Sequence, residues 1–269
     1  MAIPFLKWAG GKRKLVPAIL PLLPADFKER LYCEPFVGGG ALFFHCADQL
    51  RAARLSDRNV ALIATYRAVQ QHPDRVLCYL QEFAARNTQE DFYRIRADYN
   101  SAAHTAAVSA AMFIYLNKTC FNGLYRVNRR GEFNVPFGNY KNPRICDPTS
   151  LEQASAALQG VQLQQGDFVR VACTEPAFIY ADPPYPVVAS SFAHYTSGGF
   201  AWAEHEFLHR RVRQWVAQGH KVLLSYPDLL AIRELYADFS IAKVQGSRAI
   251  AANGNRKPVA ELLLRSYTS

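Results

Sequence analysis

Asp182 follows an apolar run, Phe178-Ile179-Tyr180-Ala181, and precedes Pro183, Pro184 and Tyr185. Short runs rich in aromatic and β-branched residues favour a buried strand, so Asp182 falls where a strand leaves its sheet. The two prolines lack backbone N–H donors and hold φ near about −65°, which stiffens the loop and leaves its carbonyls as acceptors. A carboxylate, a carbonyl and a phenol ring then share one rigid ledge. Such a ledge accepts hydrogen bonds at one end and offers an aromatic face at the other.

A second constellation is Gly38-Gly39-Gly40, between a strand-like and a helix-like stretch in "EPFVGGGAL". Glycines there let a ligand approach the backbone, and the following helix offers unpaired N–H groups, although a tight strand-to-helix turn can need glycine for structural reasons alone. Asp57 ends the next strand, seventeen positions after Gly40, about where nucleotide-binding α/β folds set an acid against ribose hydroxyls. The dinucleotide pattern G-x-G-x-x-G is absent, because Phe43 occupies the third glycine position. The phosphate-loop pattern also fails at "WAGGKRK", where Arg13 follows Lys12. A nucleoside ligand with little or no phosphate fits better, and S-adenosylmethionine is one.

A third pattern, "HEFLH" over 205–209, matches the zinc-protease signature H-E-x-x-H and sets His205 and His209 on one helix face. So short a pattern arises readily by chance, and no third ligand is obvious. The same face continues into Val212 and Val216, which assigns the pair to a packed face, with zinc hydrolysis as the competing reading.

The elements that position these residues read as strands alternating with helices. Strands are expected in "RLYCEPF" (30–36), "AARLSD" (52–57), "AFIYAD" (177–182) and "HKVLLSYPD" (220–228). "AWAEHEFLHRRVRQWVAQG" reads as a helix ending at Gly219. This is an α/β pattern with a largely parallel sheet and ligands at the carboxyl ends of its strands. Residues 59–145 break the rhythm with three helical stretches, two of them split at His72-Pro73, followed by an irregular basic segment. The expected division is therefore a catalytic domain of 1–58 and 146–269, with 59–145 inserted as a second domain.

With 269 residues, half of them hydrophobic, the chain can bury one large core or two modest ones. A formal charge of +9 suggests a polyanionic partner, nucleic acid before an anionic membrane surface. Six cysteines lie far apart with no C-x-x-C pair, which argues for free thiols in a reducing compartment and against a zinc knuckle. Neither a signal-peptide apolar region nor a run of about 20 apolar residues is found, so a cytoplasmic protein with no membrane span is expected.

Between Asn117 and Arg144 there are six Lys or Arg and one acid, interleaved with Phe121, Leu124, Tyr125, Phe133, Phe137 and Tyr140. "LYRV" and "EFNV" can pair across "NRRG", and a two-stranded ribbon fits the DNA major groove.

"FLKWAGGK", "EPFVGGGAL", "NKTCFNGLYRVNRRGEFNVPFG" and "ADPPY", in that order, together resemble the Dam family of DNA adenine-N6 methyltransferases, α group. The likeness runs from about Phe5 to Tyr267. It implies a Rossmann-like S-adenosylmethionine-dependent methyltransferase sheet with helices on both faces, and a smaller, mostly helical DNA-recognition domain carrying a β-hairpin. It implies that Asp182, Pro183, Pro184 and Tyr185 act on an adenine flipped out of duplex DNA, without a metal. It gives Trp8, Lys12, Phe36, Gly38, Gly40, Asp57, Asp167, Phe168 and Asp182 to the cofactor. It gives Lys7, Asn122, Leu124 and Arg126 to base recognition, with Tyr140 in the same hairpin segment, and Arg129, Arg130 and Lys141 to phosphates. GATC is the implied site. Two departures stand out: Glu34 where many relatives have Asp, and Ala251-Ala252 where they often have serines. N4-cytosine methylation, an RNA target and a catalytically inactive DNA-binding regulator are the alternatives, and a role beside a cognate restriction endonuclease is left open.

Overall fold

A computed structural model of the chain describes residues 2–101, 103–186, 200–246 and 259–268; Ala251 and Ala252 lie outside them. In chain order the elements are α1 Val16–Ile19, β1 Leu31–Glu34, α2 Ala41–Cys46, β2 Ala52–Asp57, α3 Val60–Gln71, α4 Pro73–Ala85, α5 Gln89–Ser101 and α6 Ala106–Thr119. There follow α7 Pro148–Leu158, β3 Gln162–Gln165, β4 Ala177–Ala181, α8 Trp202–Ala217, β5 Lys221–Pro227, α9 Leu230–Leu235, β6 Ser240–Gly246 and β7 Val259–Arg265.

The strand order is β3-β2-β1-β4-β5-β7-β6. β1 pairs in parallel with β2 on one side and β4 on the other, and β4 pairs in parallel with β5. β7 inserts antiparallel between β5 and β6. The chain thus builds outward from β1 through β2, then restarts on the opposite side at β4. That reversal is a topological switch point, and Rossmann-like sheets bind ligands in the crevice outside its carboxyl ends. Asp182 directly follows β4, and Phe36 stands two residues past the end of β1.

β4 is buried along its whole length and β5 along nearly all of it, as parallel strands covered on both faces must be, so both read as continuous apolar runs. Leu31, Ile179, Leu224 and Leu262 of the sheet pack with Leu208, Val212 and Trp215 of α8 and with Ile232 of α9. α8 stops where Gly219 takes φ +83°, a conformation that suits glycine.

The chain divides into two compact units, one of 1–13, 38–49 and 59–165, the other of 14–37, 50–58 and 166–269. The first unit holds the inserted 59–145 stretch together with the N-terminal segment, the glycine loop and α7. Its centre is α6, buried on every side, against which α3, α4 and α5 pack. A helix apolar all round is a core helix. Asn59 caps α3 by accepting from Leu62 N at 3.0 Å, Pro73 opens α4, and Asp147 caps α7. Among the described residues, no helix is long and apolar enough to cross a membrane.

His205 is fully buried in the second unit, its Nδ1 3.0 Å from the Tyr226 hydroxyl and its ring 4.6 Å from that of Phe200. Burial disfavours the imidazolium and holds the pKa down to about 4. The unfolded chain, with an ordinary histidine, takes up a proton near pH 6.5, so stability is lost as pH falls from there toward 4. Between pH 7 and pH 5 the wild type should lose about 2 kcal/mol that a His205→Gln variant does not. Chemical denaturation at the two pH values measures this; equal losses would place the titration elsewhere.

Candidate active site

β4 and β5 set the ledge. Tyr180 and Asp182 are two residues apart and project to the same face. The parallel register pairs Ala181 with Leu224, which brings Ser225 beside Asp182. Ser225 Oγ donates to Asp182 Oδ1 at 2.7 Å. The Tyr180 hydroxyl lies 3.1 Å from Ser225 Oγ, and because the serine's one proton goes to the carboxylate, Tyr180 is the donor. Burial, then the nearby Asp182 charge, raises the Tyr180 pKa well above a phenol's ordinary value, so this donor keeps its proton. The relay runs from Tyr180 through Ser225 to Asp182, and its first two members are fully buried. Pro183 is buried and Pro184 exposed; Tyr185 is half-buried, and its hydroxyl donates to Oε1 of the buried Glu261 on β7.

At the carboxyl end of β1, Phe36 packs on Phe168 with ring centroids 5.4 Å apart and meets Phe200 edge-on at 5.9 Å. Phe168 is only 2% exposed and supports Phe36 from within the core. Asp57 closes β2, its carbonyl accepting from Gly166 N at 3.0 Å. Asp167 caps the turn that follows, accepting from Val169 N at 3.1 Å, with Arg58 Nε 3.4 Å from its other oxygen. Glu34 is buried and accepts from the Tyr32 hydroxyl at 2.8 Å.

In the first unit the glycine loop has its own packing logic. Gly38 and Gly40 take φ of +46° and +64°, and a Cβ at Gly38 would lie 2.7 Å from Trp8 Cδ1. Tyr66 donates to Gly38 O at 3.0 Å. Trp8 stacks on Tyr125 at 5.8 Å, and the buried Lys12 donates to Gly10 O at 2.9 Å. Positive φ at both positions and the close approach of Trp8 to Gly38, and of Tyr66 and Phe44 to Gly40, therefore call for glycine whatever ligand the loop also serves.

The hairpin is present as antiparallel bridges. Val127 pairs with Phe133, Asn134 N donates to Arg126 O at 3.1 Å, and Asn128 N donates to Glu132 O at 2.9 Å. Asn128 Oδ1 closes the turn by accepting from Arg130 N and Glu132 N. α5 braces one strand: Asn100 exchanges two bonds with the Phe133 backbone, and Arg96 donates to Val135 O. Arg126 is exposed, and Asn134 accepts from its Nε at 2.7 Å and Nη2 at 3.1 Å. The ribbon's own Asn134 thus holds the exposed guanidinium at two of its nitrogens. Arg129, Arg130 and Lys141 are exposed; Asn122 (φ +55°) and Leu124 are half-buried. Lys7 donates to Lys118 O at 2.9 Å and lies 4.0 Å above the Tyr140 ring, and burial lowers its pKa. Asn117 pins this corner by accepting from Lys7 N and donating to Lys7 O.

His209 sets its ring edge-on against Tyr236 at 4.9 Å, so both histidines of "HEFLH" are packing residues. Among the described residues, no three His, Cys, Asp or Glu side chains gather as a metal site.

A family model described as D12 class N6 adenine-specific DNA methyltransferase matches residues 8–250. The chain belongs to this family. It is similar to the type II methyltransferase M.MjaIII of Methanocaldococcus jannaschii, 38% identical over 285 residues that cover 98% of this chain and 99% of that one. The type II methyltransferase M1.LlaDCHI of Lactococcus lactis subsp. cremoris is 35% identical, covering 98% of this chain and 95% of its own. The DNA adenine methylase of Escherichia coli K12 is 35% identical, covering 96% and 93%. This methyltransferase accordingly takes DNA as substrate and needs a methyl donor.

Ser225, Glu261 and Tyr66 carry no motif, and Asn117 opens the hairpin motif without a role of its own there; only the paired strands and packed helices bring the four to their partners. Ser225→Ala strips Asp182 of a donor and leaves the buried Tyr180 hydroxyl without its acceptor. A hydrogen bond to a charged group contributes about 1.5–3 kcal/mol. Turnover of the methyltransferase should fall about tenfold or more at unchanged DNA affinity. Wild-type turnover in the variant would show that the relay does not hold the carboxylate.

Proposed function

We propose that the protein transfers a methyl group from S-adenosylmethionine to the N6 of an adenine flipped out of duplex DNA, within GATC. The observation that carries this reading is the Asp182 carboxylate, fixed by Ser225 at the switch point with Pro183 and Tyr185 beside it.

Adenine's amino nitrogen is a poor nucleophile because its lone pair is delocalised into the ring. The Asp182 carboxylate and the Pro183 carbonyl accept its two N–H bonds and favour a pyramidal nitrogen with a localised lone pair. That stabilisation grows toward the transition state and so raises the rate. Tyr185 stacks on the base that has left the duplex. S-adenosylmethionine, when bound, supplies an electrophilic methyl on its sulfonium. The residues suit such a ligand: Asp57 ends β2 where a ribose acid belongs, and Phe36 offers a ring at the end of β1. Asp167 and Phe168 follow the next strand and border the adenine in this reading. Trp8, Lys12, Gly38 and Gly40 take cofactor roles from the family likeness.

The hairpin supplies specificity. Arg126, presented by Asn134, reads a guanine edge, while Asn122 and Leu124 lie at the target step and Lys7 beside the flanking base. Tyr140 packs under Lys7, and Arg129, Arg130 and Lys141 hold phosphates, which position without specifying.

Asp182→Ala should abolish methyl transfer and leave DNA binding largely intact; comparable turnover would refute the acceptor role. Arg126→Ala should lose about 1–3 kcal/mol of discrimination at one base position. Arg129→Ala should weaken binding to all sequences alike and flatten its salt dependence by up to about one unit of slope. Methylation of GATC duplexes and their single-base variants, at several salt concentrations, separates the two. A uniform loss in Arg126→Ala, with site preference kept, would make Arg126 a backbone contact.

A further inference from the structure

Glu261 sits in the middle of β7, opposite Pro227 of β5 and Val244 of β6, and is only 6% exposed. Its neighbours Leu262, Leu263 and Leu264 are fully buried. A carboxylate in such a strand is costly unless it is well bonded, so packing alone does not account for it. Its Oε1 accepts the hydroxyl proton of Tyr185.

We propose that Glu261 is a positioning residue that fixes the Tyr185 ring in the plane needed to stack on the target adenine. This rests on the stacking role given to Tyr185 above. Pro183 and Pro184 stiffen the backbone that leads to Tyr185, but they leave its two side-chain rotations unrestrained. A ring held only at Cβ can swing and tilt. A bond at the far end of the same ring, to an acceptor built into the sheet, stops the swing; because a phenolic O–H prefers to lie in the plane of its ring, the direction of that acceptor also biases the tilt. Charge assistance makes this bond roughly twice as strong as a neutral one. The carboxylate acts through the tyrosine and needs no contact with the substrate. Preorganising the stacking face lowers the ordering cost when the base arrives, which raises the rate of the chemical step more than it changes DNA affinity.

The test measures single-turnover methyl transfer, DNA affinity and cofactor affinity for Tyr185→Phe, Glu261→Ala, Glu261→Gln and Tyr185→Ala. Tyr185→Phe and Glu261→Ala should each slow transfer about tenfold, as expected for one charge-assisted bond, with both affinities nearly unchanged. The Tyr185→Phe/Glu261→Ala double variant should be no slower than either single one, because both remove the same bond. Glu261→Gln keeps an acceptor oxygen and should recover most of the rate. With 2-aminopurine at the target position, Tyr185→Phe and Glu261→Ala should raise emission toward the level of Tyr185→Ala, as a loosened ring quenches less. Wild-type rate and emission in Tyr185→Phe, beside a severe Tyr185→Ala, would overturn the anchoring and leave the stacking role standing. Wild-type behaviour in Tyr185→Ala would overturn both. Should Glu261→Ala fail to fold, Tyr185→Phe alone decides, since it leaves the sheet untouched.

Discussion

The hydrogen bond from Ser225 to Asp182 ties the chemistry to the sheet. A carboxylate on a loop samples several orientations; one that accepts a bond from the neighbouring parallel strand does not. Ser225 can supply that bond because β4 and β5 run parallel and in register, with their carboxyl ends on the same side. Tyr180 then fixes the serine's own proton by donating to its oxygen. Tyr180 and Ser225 lie on two adjacent strands of the buried sheet and Asp182 directly follows the first of them, so the ledge inherits the sheet's rigidity, which is what the proposed acceptors require.

The strand reversal between β1 and β4 gives this ledge its neighbours. Phe36 after β1 and Asp182 after β4 emerge on either side of the switch point, and Asp57 emerges one strand further out. The antiparallel β7 is the departure from a simple parallel sheet. It lies beside β5 and carries Glu261, so the strand added to the sheet reaches the same ledge through Tyr185.

Much of this was legible in the sequence because fully buried parallel strands leave continuous apolar runs. β1, β4 and β5 fall where those runs stand, β2 falls on the short half-buried stretch that ends in Asp57, and the prolines after Asp182 mark the exit from β4. β3 left no such mark: Gln162–Gln165 is a polar, mostly exposed edge strand. α5 was hidden by its polar composition, with only Phe92 and Ile95 buried, yet it braces the hairpin. Ser225, Glu261, Asn117 and Tyr66 act through partners between 28 and 110 residues away, a distance at which spacing carries no signal. The glycine loop was legible as a turn, but its need for glycine beside Trp8 became visible only in three dimensions. "HEFLH" shows the reverse, since its metal-like spacing serves two histidines packed against tyrosines.

The proposed role of the ledge, to localise the lone pair of an exocyclic amine, defines the product by its nitrogen. The most direct measurement is to methylate unmodified duplex DNA with isotopically labelled S-adenosylmethionine, digest it to nucleosides and identify the labelled species by mass spectrometry. The expected result is label in N6-methyladenosine's deoxy form alone, lost when Asp182 is replaced. Label in N4-methylcytosine, or transfer to RNA but not to duplex DNA, would contradict the account.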